Sequence, residues 1–234
     1  MELELKKECL DTYELGEPQT LTQEETAETI VPDYCPDIAR IISAEGVVCL
    51  HGGTEQDGVT GTVRVTVLYT PENESGVRAL EFAMPFSAQG EGLAGCAHVV
   101  VETEIELLES RMLNPRKIFT RCKLVTHLTG CRKVCLTISS DAETDPALLV
   151  EKRCCGQTVS LLRQVAEKDL TFSETMSLSL GREGAAELLH CRANSIVTET
   201  KAIGNKLIFK GIFLVSALYR TIGGQLASAS AELP

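Results

Sequence analysis

The chain has 234 residues and a formal net charge of -11, enough length to bury a sizeable core without metal or disulfide staples. Positions 1–37 hold eleven acidic residues against Lys6 and Lys7, so that stretch carries about -9 and the remainder about -2. No basic patch with interleaved aromatics occurs, which argues against nucleic acid as a partner, and no apolar run reads as a secretion signal or membrane helix.

The pattern divides the chain into an acidic N-terminal segment (1–20), a first β unit (21–140), a connector (141–168) and a second, partial β unit (169–234). Ahead of the first apolar run stands VPDYCPDIARII at 31–42. Pro36 suits a first helical position, Ile38, Ile41 and Ile42 fall at i, i+3, i+4, and Asp33 and Asp37 suit an N-terminal dipole, so a short capped helix is predicted here. GVVCLH at 46–51 reads as a strand. In VTGTVRVTVLYT, Val59, Val63, Val65, Val67 and Tyr69 alternate with Thr60, Thr62, Arg64 and Thr66, which predicts a half-buried strand. The turn-rich PENESG follows, then VRALEFAM, so 59–84 reads as a hairpin. Further strands are predicted at HVVVETEIELL, KIFTRCKLVTHL, CRKVCLTIS, LTFSETMSLSL, SIVTET, NKLIFKGIFLVSALY and QLASASAEL. The expected fold is mainly β, of antiparallel sandwich-like units with an internal repeat and one short helix per repeat.

The repeat is read at a shift of 150. DIARIISAEGVV lies over ELLHCRANSIVT, and the stretch from Gly61 to Tyr69 lies over that from Gly211 to Tyr219. LTQEET and LTFSET, and FAMP and AELP, pair with one position of slippage. The second copy keeps a helix-like ELLHC but lacks both prolines and the tyrosine, so the chain reads as one complete unit and the opening half of another.

Several groupings invite a chemical reading. Asp33, Cys35 and Asp37 offer a mixed O/S set that suits no metal well, and helix capping is preferred. Cys131 and Cys135, four apart on one strand face, stand roughly 13 Å apart, too far for one zinc ion with Zn–S bonds near 2.3 Å. Cys49, Cys96, Cys122 and Cys191 lie beside apolar residues and read as buried thiols. Asn114, Arg116 and Lys117 between two strands read as a polar turn with Pro115 rather than an anion site. Glu102, Glu104 and Glu106 read as a solvated face. His51, His98, His127 and His190 are scattered, and no hydrolase, zincin or Walker pattern occurs, so no enzyme, cofactor or metal is expected.

VPDYCPDIARII, GTVRVTVLY, AMPFS and LNPRKIFTRCKL, together with NKLIFKGIFLVSALY in the second copy, resemble the SPOCS domain of spore-coat and sporulation proteins from endospore-forming bacteria. The resemblance covers roughly 21–124 and 170–234, and its motif residues are Pro32, Asp33, Tyr34, Pro36, Asp37, Asn114, Arg116 and Lys117. It implies coat morphogenesis through protein contacts, with synthesis in the mother-cell cytoplasm and later residence in the spore coat or spore surface. No LysM-like segment is read, so assembly is the part that carries over. On this basis the expected partners are the protein itself, as a head-to-tail homopolymer built by β-strand addition, and other spore-coat proteins. ELELKKECL resembles LVEKRCCGQ at 149–157, which makes Cys9, Cys154 and Cys155 candidate intersubunit crosslinks. Thiols kept reduced during synthesis would oxidise later at the spore surface. The alternative is a monomeric adaptor with VPDYCPDI as its recognition segment. A Tyr34 side chain packed within its own subunit would favour structure, and one in solvent would favour a partner.

Overall fold

A computed structural model of the chain describes residues 4–51, 58–143, 184–233 and, between them, positions 151, 153, 156, 158–166, 173 and 175. The described residues form strands β1 (Glu4–Leu15), β2 (Gln19–Ile30), β3 (Ile38–His51), β4 (Gly58–Pro71), β5 (Arg78–Gln89), β6 (His98–Asn114), β7 (Lys117–Glu143), β8 (Ala185–Ile203), β9 (Lys206–Thr221) and β10 (Leu226–Leu233). All pairings are antiparallel. The class read from period-2 alternation therefore holds. LTFSETMSLSL lies almost wholly outside the described residues.

The expected helices are absent. Residues 38–42 open β3, and ELLHC lies within β8. The cause is a pair of irregularities in each strand. In β3 the register shifts between Ile38 and Arg40 and again between Ile41 and Ser43. In β8 it shifts between Ala185 and Glu187 and between Leu188 and His190. Each inserted residue lengthens the local repeat from two to three, so apolar side chains recur at helical spacing although the backbone is extended. Ile38 is fully buried and Ile42 is exposed, as the bulged strand requires.

Strand β7 is the spine. The two strands expected at 117–128 and 131–139 are one, running unbroken through Gly130. On one edge it carries β6, from Asn114 opposite Lys117 to His98 opposite Cys131. On its other edge β2 and β1 lie end to end, Gln19 opposite Leu128 and Leu15 opposite Cys131. Gly16 bridges the break by donating its N–H to the Gly130 carbonyl at 2.8 Å.

Sheet β3-β4-β5 shares a core with this four-stranded sheet. Val63, Val65, Val67, Tyr69, Leu80, Met84 and Phe86 meet Ile118, Cys122 and Leu124 of β7, with Val31 and Ile38 closing one end. Each such side chain, fully buried, contributes roughly 1.5–3 kcal/mol against exposure. Gly61 occupies an inward position because Phe86 fills the space where a Cβ would stand. The third sheet, β8-β9-β10, has the same strand order as β3-β4-β5. Its Gly204, at φ 62°, lies in the two-residue turn between Ile203 and Lys206, a conformation glycine adopts at no steric cost.

Candidate interaction site

The two motifs singled out in the sequence, 70 and more residues apart, meet in space. Pro32 to Cys35 form a turn closed by the Cys35 N–H donating to the Pro32 carbonyl at 2.9 Å. Asp33 and Tyr34 are its central residues. Buried Val31 and Ile38 anchor the segment on both sides. Against it lies the β6–β7 turn, in which the Asn114 side chain accepts the Arg116 N–H at 2.9 Å. The Ile38 N–H donates to the Pro115 carbonyl and the Val31 N–H to the Arg116 carbonyl, both at 2.9 Å.

Arg116 fastens the two turns together. Its Nη1 donates to the Cys35 carbonyl at 2.8 Å and to Asp37 Oδ1 at 3.0 Å. Its Nη2 donates to the Val31 carbonyl and to Asp33 Oδ1, each at 2.9 Å. One planar guanidinium thus serves four acceptors, a task a lysine ammonium cannot match because its donors do not form a fixed fork. Lys117 pairs with Glu28 next to this clasp. Pro36, predicted at a helix start, instead offers its carbonyl to the Tyr69 hydroxyl at 3.3 Å, and the Asp37 carbonyl accepts the Glu72 N–H. Burial, then the neighbouring Cys35 thiol, push Tyr69 up to about 12. The carboxylates of Asp33 and Asp37 serve Arg116 rather than a helix terminus. That role was missed because it depends on a residue about 80 positions away.

Within this ordered turn Tyr34 stands out, 87% exposed. It is the most exposed large apolar side chain of the motif. Among the described residues, no three His, Cys, Asp or Glu side chains converge as metal ligands.

Cys9 lies in β1 opposite Thr137 and forms a disulfide diagonally with Cys135 on β7 of the same chain, at a Cα separation of 5.6 Å. Cys154 and Cys155, its expected counterparts, lie outside the described residues. Cys131 and Cys135 both belong to β7, Cys131 buried and Cys135 bonded. Burial raises Cys131, with Cys96 adding to the effect. Burial, with a smaller effect of Glu25, pushes Cys122 up to about 11. Cys191, expected to be buried, is exposed, and Cys49 and Cys96 are partly buried.

Strand β7 outruns β6. Among the described residues β1 is the one strand that accompanies it beyond Cys131, so Glu4–Leu15 and the distal end of β7 make a two-stranded ribbon projecting past the four-stranded part, with the Leu162 carbonyl accepting the Tyr13 N–H at 2.8 Å. The other edge of β7 from Arg132 to Ser139 has no strand partner among the described residues. No protein-family model, curated protein or solved structure matches the chain.

Proposed function

We propose that this chain is a structural, self-assembling protein of the spore coat or spore surface, building a filament or layer by β-strand addition between subunits, with disulfide locking. The observation that carries the reading is the β7 edge on the projecting ribbon, which has no strand partner among the described residues, because an open edge is a template for another strand. The joining of VPDYCPDI to LNPRK through Arg116 supports it further, since it gives a physical reason for the two halves of the SPOCS-like motif to occur together. In this reading the first two sheets form a sandwich-like unit and β8-β9-β10 repeats β3-β4-β5. Paired bulges support the repeat: Ile38, Arg40, Ile41 and Ser43 oppose Pro71 to Leu68, as Ala185, Glu187, Leu188 and His190 oppose Thr221 to Leu218. On that register the offset is 150 along β9 but 147 along β8.

We read the chain as non-enzymatic, with its work done by contacts. The test is negative-stain electron microscopy of the purified protein with and without a strong reductant. Filaments or sheets, more resistant to denaturant when oxidised, are expected, and discrete small particles under both conditions would overturn the polymer. One observation favours the second reading, a monomeric adaptor for another coat or cell-wall protein: Tyr34 stands in solvent. In that case Tyr34→Ala would abolish partner binding while leaving particle size unchanged.

A further inference from the structure

The ribbon edge that has no strand partner among the described residues runs over Arg-Lys-Val-Cys-Leu-Thr-Ile-Ser, residues 132–139. It is bounded by β6, which ends opposite Cys131, and by a register shift at Ser140, which is skipped between Lys7 opposite Ser139 and Lys6 opposite Asp141. Inside these bounds the strand is regular. It contains no proline, glycine or bulge, the devices that normally blunt an edge. The lysine within it, Lys133, is turned to Asp11 of β1 at 3.9 Å.

Alternation gives the ribbon two unlike faces. Val134, Leu136 and Ile138 share one, opposite Thr12, Leu10 and Glu8 of β1. Cys135, Thr137 and Ser139 share the other with the Cys9 disulfide. Leu136 is 43% and Ile138 37% exposed, so this part of the apolar stripe reaches the edge in solvent, while at its other end Thr12 is buried and donates its hydroxyl to the Leu162 carbonyl at 3.1 Å.

We infer that this edge pairs antiparallel with the same edge of a second copy, Leu136 opposite Leu136, to form a sheet β1-β7-β7-β1 across a two-fold axis. The inference rests on the self-assembly reading and names one of its joints. Three considerations select this register. Two identical strands related by an axis normal to their sheet keep their faces aligned only if the opposed residue numbers add to an even total. Leu136 opposite itself satisfies this and places Val134 opposite Ile138, Cys135 opposite Thr137 and Lys133 opposite Ser139, so apolar meets apolar and polar meets polar. Of the two neighbouring even registers, Cys135 opposite itself would set Arg132 against Ile138, and Thr137 opposite itself would set Val134 against Ser140. The chosen register sets Arg132, whose Nη2 donates to the Gly92 carbonyl at 2.7 Å, opposite Ser140. A parallel arrangement would stack Arg132 on Arg132 and Lys133 on Lys133, and like charges directly opposite destabilise a sheet. The joint closes on itself, so polymer growth needs a second contact elsewhere on the subunit.

The test uses Leu136→Lys and Leu136→Glu in the full chain, measured by light scattering across concentration, with far-ultraviolet circular dichroism to establish folding. Each variant alone sets like charges face to face at the axis and should weaken association at least about tenfold. An equimolar mixture of the two variants sets an ammonium against a carboxylate there and should recover it. If either variant fails to fold, Val134→Lys mixed with Ile138→Glu replaces them: each alone sets a charge against an apolar residue of the partner strand and should weaken association, and the mixture sets one ammonium against one carboxylate and should recover it. Variants that associate as the wild type does would overturn the joint while leaving self-assembly standing, as would loss without recovery on mixing. A wild-type chain that stays monomeric at all concentrations would overturn both, leaving the edge to residues of its own chain or to a different protein.

Discussion

Replacing Arg116 by methionine, which keeps much of the side-chain length but removes every donor, should unfasten the Pro-Asp turn. Two of the lost hydrogen bonds go to main-chain carbonyls, those of Val31 and Cys35, in part-buried positions. Bonds from a charged donor contribute about 1.5–3 kcal/mol each. The two carboxylate contacts sit at the rim, with Asp33 fully exposed, where ion pairs contribute little. Allowing for recovered side-chain entropy and for water reaching the freed carbonyls, the net loss is about 3–4 kcal/mol. For a chain of this size each kcal/mol moves the melting temperature by about 2–4 °C, so a fall near 10 °C is expected. Arg116→Lys should fall between the two, since it restores charge without the fork, and Asp33→Asn should melt as the wild type does. Differential scanning calorimetry gives the ordering. Arg116→Met melting within about 2 °C of wild type, or Arg116→Lys indistinguishable from it, would refute the clasp as the element that orders the turn.

The Cys9–Cys135 bond spans 126 residues, and loop entropy assigns such a closure up to about 5 kcal/mol. Cys9→Ser should therefore speed amide exchange across Leu5–Leu15, while unchanged exchange there would mean that strand pairing alone holds the ribbon. In native protein at pH 8, iodoacetamide should label exposed Cys191 readily and Cys122 only on unfolding, because Cys122 is buried and pushed up to about 11 and the thiolate is the reactive form; mass spectrometry reads the order of the two, and early labelling of Cys122 would contradict its burial. Tyr69 at about 12 and Cys122 at about 11 hold their protons more tightly folded than unfolded. Their contribution is complete below pH about 9 and is lost as pH rises to 12, so the urea midpoint should drop across that window; a flat midpoint would count against both shifts.

Strand content was legible wherever a regular pleat meets a one-sided core, as at Val63, Val65, Val67 and Tyr69. It was misread at Ile38–Ile42 and at Leu188–Leu189, where bulges give extended chain a helical rhythm. The break expected near Gly130 was also misread, because a glycine suggests a turn while here it admits Cys96, whose Sγ would lie 2.6 Å from an added Cβ. The clasp was half visible. Asp33, Asp37 and Arg116 were each singled out, but their meeting depends on β2 pairing along β7, and no local signal encodes a contact between residues 33 and 116.

The end-to-end placement of β1 and β2 on β7 also has a temporal side. Leu21 awaits Thr126 and Cys9 awaits Thr137, so residues 4–30 leave the ribosome about a hundred residues before the strand that will receive them. During that interval they have no sheet to join. Nascent neighbours on one messenger would be free to capture such segments from each other, and pairings this distant in sequence form slowly. The excess of acid in positions 1–37 keeps these waiting segments mutually repulsive, a kinetic safeguard that stops mattering once β7 arrives.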